Sequence, residues 1–169
     1  MFVLGIDPGL SRCGYAVLEP QARHRCRPVA IGVIRTAAHR PVAERLAELH
    51  HELRLLFDDY RPSVLALERV FAQRNLRTVV GVAQASGLAM AEAAGRGAAV
   101  VEYSPSAVKA AVTGDGRADK VQVQTMVQML LGLAEPPRPA DAADAAAVAL
   151  CHLAHAPVAR ARSRAAGAG

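Results

Sequence analysis

Short apolar runs bounded by turn residues are spread along the chain, and such runs are typical of buried β-strands. Five of them occur, at residues 2–7, 13–18, 28–35, 63–68 and 98–103. Between the third and fourth runs, apolar residues recur every three or four positions from Val42 to Phe57, which predicts an amphipathic helix. Pro41 suits the first turn of this helix, and Arg61-Pro62 ends it.

Helical patterns dominate the second half of the chain. One helix is predicted from about residue 75 to 93, and Ser104-Pro105 is typical of the start of a short helix that reaches Lys109. Asp119 is expected to cap the next helix, which ends at Gly132, and an Ala-rich helix is predicted over about 140–156. The order β-β-β-α-β-α-β-α predicts an α/β fold in which helices cover a mixed sheet.

The composition is that of one globular domain. Of 169 residues, 52% are hydrophobic and 21% are charged, and no run approaches the roughly 18 apolar residues that cross a bilayer. The three cysteines lack CxxC spacing, which argues against a disulfide framework and a zinc site and favours a reducing, cytoplasmic location. We predict a domain over residues 1–156 and a disordered basic Ala/Arg/Gly tail over 157–169 that adds nonspecific DNA affinity.

The net charge of +5 is a weak sign of a polyanionic partner. Arginines of the tail supply more than half of it, namely Arg160, Arg162 and Arg164. The chain has 18 arginines and two lysines, and we interpret most of the arginine excess as compositional bias. The two lysines, Lys109 and Lys120, are therefore more informative than any single arginine.

Four acidic residues stand where folding alone explains them poorly. Asp7 and Glu68 end the first and fourth predicted strands, and ligands of open α/β sheets gather at the carboxyl ends of strands. Asp141 and Asp144 open the last helix and, three residues apart, face the same way. The alanines around them would let this helix approach the sheet closely, which could bring all four carboxylates together.

Such a cluster needs a cation. Two like charges about 4 Å apart repel by about 4 kcal/mol at an effective dielectric constant of ~20, so the acids would protonate or separate if left alone. A set of oxygen ligands without histidine suits Mg²⁺ or Mn²⁺. Two such ions can activate a water molecule and stabilise a leaving oxygen in phosphodiester cleavage.

Each acid also has an ordinary structural explanation. Asp141 and Asp144 are favourable at a helix N-terminus through the helix dipole. Asp7 could belong to the turn that precedes Pro8, and Glu68 could be a solvated strand end. Only their joint placement favours a metal site.

Four motifs resemble the RuvC family of bacterial Holliday-junction resolvases. They are GIDPGLSRCGYAVLE at 5–19, LERVFAQRN at 67–75, EYSPSAVKAAVTGDGRADKVQVQTMV at 102–127 and DAADAAAVALCH at 141–152. The resemblance runs in order over about residues 2–155. It implies a ribonuclease H-like fold with a mixed five-stranded sheet, and a homodimer that cuts four-way DNA junctions symmetrically during recombination and repair. It also implies a branch-migration complex of the RuvA and RuvB type as partner.

The resemblance also implies roles for particular residues. The family's catalytic and metal-binding acids fall on Asp7, Glu68, Asp141 and Asp144, which would hold two Mg²⁺ ions, with Mn²⁺ able to substitute. The implied DNA-binding residues are Phe71, which would stack on junction bases, and a basic set comprising Lys109, Lys120, Arg69, Arg74 and Arg77. Read alone, Phe71 suits a hydrophobic core, the lysines suit solvated helix faces, and the arginines reflect the compositional bias.

Three other functions compete with this one. Actin-like and sugar-kinase ATP-binding proteins open with a similar strand, Asp and Gly turn, but they need two such lobes. A module that binds branched DNA without cutting it would not need the four acids. A shorter RuvC-like family shares the GIDPG opening, whereas the motif at 141–152 and the segment around Phe71 favour the longer resolvases.

Overall fold

A mixed five-stranded sheet forms the centre of the molecule. The structure is a computed structural model that describes residues 1–22, 25–69 and 76–166, with 76–78 and 157–166 described by their backbone alone. The strands lie in the order β3-β2-β1-β4-β5. Their bounds are β1 Val3–Asp7, β2 Arg12–Pro20, β3 Cys26–Arg35, β4 Val64–Glu68 and β5 Ala99–Tyr103.

The pairing of the strands explains why two acids meet at one edge of the sheet. The first three strands form an antiparallel meander, whereas β1 and β4 are parallel neighbours with Ile6 opposite Leu67. Parallel neighbours end at the same edge, so Asp7 and Glu68 follow Ile6 and Leu67 side by side. The predicted mixed sheet is confirmed.

Helices cover both faces of the sheet, as the sequence predicts. Helices α1 (Val42–Tyr60) and α2 (Leu76–Gly95) pack on one face, where their apolar residues meet Leu4, Ile6 and other buried strand residues. The opposite face is covered by three helices: α3 Pro105–Thr113, α4 Lys120–Leu131 and α5 Ala140–Ala166. Among the described residues, no helix is both long enough and apolar enough to span a membrane.

The local signals for helix ends are confirmed, with two differences in helix length. The Ser104 side chain accepts from the N–H of Ala107, and Asp119 forms a capping box with Gln122. Helix α3 extends past Lys109, however, and α5 extends past residue 156 to Ala166. Ala and Arg fill most of residues 158–166 and have high helix propensity, which favours the part of α5 beyond Pro157. The domain division at residue 156 stays a prediction.

Two glycines let α5 lie directly on the sheet. A Cβ atom on Gly14 would stand 2.0 Å from the carbonyl oxygen of Asp141, and one on Gly5 would stand 2.3 Å from that of Ala145. Both distances are too short for any side chain. The alanines of the first turns of α5 are buried against the same strands, as expected from the sequence. The N-terminus of α5 is thereby fixed over the ends of β1 and β2.

Candidate active site

A cavity of about 470 Å³ lies where β1 and β4 end and α5 begins. All four predicted acids line it, together with three of the predicted basic residues: Asp7, Glu68, Asp141, Asp144, Arg69, Lys109 and Lys120. Side chains alternate between the faces of a strand, and Val3 of β1 and Ala66 of β4 belong to the core under α5. The same alternation places Asp7 and Glu68 on the face that α5 covers.

The Asp7 carboxyl group interacts electrostatically with the other three acids. Its pKa is raised from 3.8 to about 7, first by burial and then by the negative charges of Asp144, Glu68 and Asp141, while the positive charge of Lys120 lowers it. These interactions require that the four carboxylates share one site. A proton or a cation must therefore offset the charge of Asp7 near neutral pH.

Asp141 contains a buried oxygen atom that no hydrogen bond satisfies. Its Oδ2 lies 3.3 Å from Nε of Arg12 in an ion pair, yet among the described residues it has no hydrogen-bond partner. Leaving a buried anionic oxygen without a hydrogen bond is costly. This position is thus suited to a bound cation.

Asp144 is held by Lys120, the first residue of α4. The Lys120 Nζ donates to Asp144 Oδ2 at 2.9 Å, and this hydrogen bond raises the pKa of Lys120. The capping box at Asp119 fixes the start of α4 and therefore the origin of the Lys120 side chain. Lys120 stays protonated and places its charge inside the acid cavity.

The donor chemistry of the cavity fits Mg²⁺ or Mn²⁺, because the acids offer only oxygen ligands. With the side chains as they stand, no group of three His, Cys, Asp or Glu residues in the described part of the chain is close enough to hold one ion. Arg12 and Lys120 engage the two acids of α5 instead. The four acids offer suitable ligand atoms around one cavity. Their carboxylates would have to turn toward an ion to bind it.

The other predicted DNA-binding residues divide into three groups. Arg69 lines the cavity, and its backbone N–H donates to the Tyr103 carbonyl oxygen at 2.7 Å, which ties the end of β4 to β5. Arg77 lies in the first turn of α2, where only the backbone is described. Phe71 and Arg74 lie outside the described residues. The DNA contacts of all of these residues stay predictions.

Sequence reasoning missed Arg12, which contacts the cavity acid Asp141, and the buried Arg45 of α1. Arg12 begins β2 and reaches Asp141, and its position five residues after Asp7 carries no clear signal. Arg45 is only 8% exposed, and it donates to the hydroxyl groups of Thr36 and Ser11 at 3.0 and 2.6 Å. The signal for its burial was present, since Arg45 continues the i,i+4 row of the apolar residues of α1.

The fold and the site together define a class of protein. A mixed sheet in this order, with acids at the ends of the neighbouring strands β1 and β4 and on a helix packed across them, is the arrangement of the ribonuclease H-like nucleases. The family model described as "Crossover junction endodeoxyribonuclease RuvC" matches residues 3–152, and the chain belongs to that family.

Relatives and a solved structure agree with this assignment. The chain is 55% identical over 150 residues to the RuvC of Leifsonia xyli, covering 89% of this chain and 72% of that one. It is 54% identical over 168 residues to the RuvC of Frankia casuarinae, covering 99% and 98%. The structure of Thermus thermophilus RuvC in complex with Holliday junction substrate is similar, with a TM-score of 0.89 and 34% identity over 94% of this chain and 96% of that one. The predicted fold class and family are confirmed.

Proposed function

We propose that this chain is a metal-dependent endonuclease that cuts four-way DNA junctions in homologous recombination and DNA repair. The observation that carries the proposal is the convergence of four carboxylates on one cavity in a chain of the RuvC family. Family membership alone would be compatible with a chain that had lost its chemistry. The intact set of acids is what a chain that only binds DNA would not need.

The four acids are the proposed metal-binding and catalytic residues: Asp7, Glu68, Asp141 and Asp144. Two Mg²⁺ ions are the proposed cofactor, with Mn²⁺ able to substitute. When bound, such ions lower the pKa of an attacking water molecule and stabilise the departing 3′-oxygen. Asp7 is central to this arrangement because all three other acids act on its charge.

The lysines supply positive charge for the phosphate. Lys120 is protonated and lies within the cavity, so it can bind a phosphate oxygen of the strand to be cut. Lys109 lines the same cavity from α3. Two cationic groups on different helices would fix the orientation of the phosphodiester relative to the acids.

A homodimer fits the symmetry of the substrate. A four-way junction has approximate two-fold symmetry, so a two-fold dimer would place two equal sites on strands of like polarity. Paired symmetric nicks leave ends that a ligase can seal. We extend the proposal to a cytoplasmic enzyme that works with a branch-migration complex of the RuvA and RuvB type.

A nicking assay tests the proposal. A synthetic four-way junction and a linear duplex of the same sequence are incubated with the full chain in Mg²⁺ or in EDTA. We expect cleavage of the junction in Mg²⁺ alone, and none by Asp7→Asn, which loses a metal ligand but keeps its shape. Cleavage in EDTA, or equal cleavage of the duplex, would contradict the proposal. Junction binding without any nicking in Mg²⁺ would support the binding module instead.

A further inference from the structure

Two arginines stand directly opposite each other at one end of the β2–β3 pair. Arg12, the first residue of β2, is the register partner of Arg35, the last residue of β3. Directly opposed residues of an antiparallel pair project from the same face of the sheet. Arg12 reaches Asp141 on α5, so the Arg35 side chain leaves the sheet on the α5 face as well.

Both side chains are open to solvent. Arg12 is 58% exposed, and its contact with Asp141 is made by Nε alone, at 3.3 Å. Arg35 is exposed, and its side chain makes no ion pair or hydrogen bond with the described residues. The two guanidinium groups therefore present unused N–H donors beside the acid cavity.

At the opposite end of the same two strands, the directly opposed residues carry opposite charges. There, Glu19 is the register partner of Arg27, and their side chains form an ion pair at 2.7 Å. Like charges directly opposed across a strand pair are destabilising, whereas opposite charges are favourable. The unfavourable pair occurs at the end of the strands that borders the acids. An anion bound between the two arginines would remove the conflict.

We infer that Arg12 and Arg35 form an arginine pair that binds a phosphate of the DNA backbone next to the acid cavity. The inference rests on the proposed function and adds a DNA contact to it. A guanidinium group is planar and binds phosphate through two parallel hydrogen bonds. Because Arg12 contacts Asp141 through Nε, its remaining donors can hold a phosphate at a fixed place relative to that acid.

The salt dependence of junction binding tests the pair. The affinity of the full chain for a labelled four-way junction is measured in EDTA between 50 and 200 mM salt. Each phosphate contact contributes about 0.9 to the slope of log K against log salt. We expect Arg35→Gln and Arg12→Gln each to reduce that slope by about 0.9. Raising the salt from 50 to 200 mM weakens junction binding, and this fold-loss in affinity should be about 3.5 times smaller for each variant than for the wild type.

Three controls separate the pair from general effects of charge and folding. Arg27→Gln removes an arginine with 61% side-chain exposure from the far end of the same strand and should keep the wild-type slope. Arg35→Lys retains the charge and should keep most of the slope. The Tm of Arg35→Gln without DNA should be no lower than that of the wild type, because the substitution relieves like-charge repulsion.

The outcomes distinguish this inference from the proposed function. If the wild type nicks the junction but Arg12→Gln and Arg35→Gln keep the wild-type slope of log K against log salt, the arginine pair is overturned and the proposed function stands. An equal loss of slope in Arg27→Gln also overturns it, since the effect would then be nonspecific. A wild type that neither binds nor nicks the junction overturns both.

Discussion

At the scale of single residues, the raised pKa of Asp7 links the stability of the fold to pH. Burial and three neighbouring acids raise the pKa of its carboxyl group to about 7. The folded state therefore holds a proton that the unfolded chain releases near its ordinary pKa of 3.8. A carboxyl group in this condition stabilises the fold at low pH and loses that contribution as the pH rises through 7.

This linkage predicts how stability changes with pH. In EDTA, the free energy of unfolding should fall between about pH 4 and 7, with a contribution from Asp7 of at most about 1.4 kcal/mol per pH unit. Asp7→Asn should remove that contribution, because the amide does not titrate. Urea unfolding of both proteins from pH 4.5 to 8 measures the difference. Parallel stability curves for wild type and variant would show that Asp7 does not titrate in this range.

Lys120 should act on the chemical step rather than on binding. Its Nζ lies 2.9 Å from Asp144 at the acid cavity, so under the proposed function its charge would act at the reacting phosphate rather than on the outer DNA surface. We expect Lys120→Ala to lower the cleavage rate at saturating junction by roughly 10²-fold or more, as for other groups that stabilise transition-state charge. Single-turnover kinetics and a binding titration in EDTA separate the two effects. A pure binding defect would assign Lys120 to DNA affinity instead.

At the scale of elements, the contact between α5 and the sheet positions Asp141. Gly14→Ala would put a methyl group 2.0 Å from the Asp141 carbonyl oxygen, which only a shift of α5 could relieve. We expect a loss of about 1–3 kcal/mol or more in unfolding free energy, together with loss of Mg²⁺-dependent nicking.

Gly95→Ala is the matched control, because no atom lies within 4 Å of the added Cβ. It should be neutral or stabilising by up to about 1 kcal/mol. Urea midpoints of the two variants test this, and equal stability would refute the close contact.

Local patterns predicted the elements well, because each pattern has a local physical cause. Asp119 and Gly132 bound α4 through hydrogen bonds and backbone angles that involve only a few neighbouring residues. Arg45 shows where this reasoning stops. Its partners Ser11 and Thr36 are 34 and 9 residues away along the chain, so only the folded structure shows that its buried charge is satisfied by hydroxyl groups.

The acid site lies between these two cases. The residue types and the strand ends indicate Asp7 and Glu68 from the sequence alone, since both follow apolar runs. The ion pair between Arg12 and Asp141 could not be predicted in the same way. It depends on the register of β2 against β1 and on the depth at which α5 lies, and neither is encoded in a local pattern.

At the scale of the whole molecule, the strand order decides which distant residues meet. Asp7 and Glu68 are 61 positions apart in the chain, yet β1 and β4 are parallel neighbours and end side by side. Helix α5 then crosses both strands and adds two more acids. Basic side chains from α4 and β2 reach the same place, where Lys120 pairs with Asp144 and Arg12 pairs with Asp141.

A single acid site would cut one strand at a time, so the proposed paired nicks require two copies of the chain. On a supercoiled plasmid with an extruded cruciform, two nicks within one binding event yield linear DNA, whereas a single nick relaxes the plasmid to an open circle and removes the cruciform. We expect the wild type to produce mainly linear DNA. Mixing with excess Asp7→Asn should shift the product to open circles, because a mixed pair in the proposed homodimer would hold one competent site. Open circles as the main wild-type product would show that the two sites do not act together on one junction.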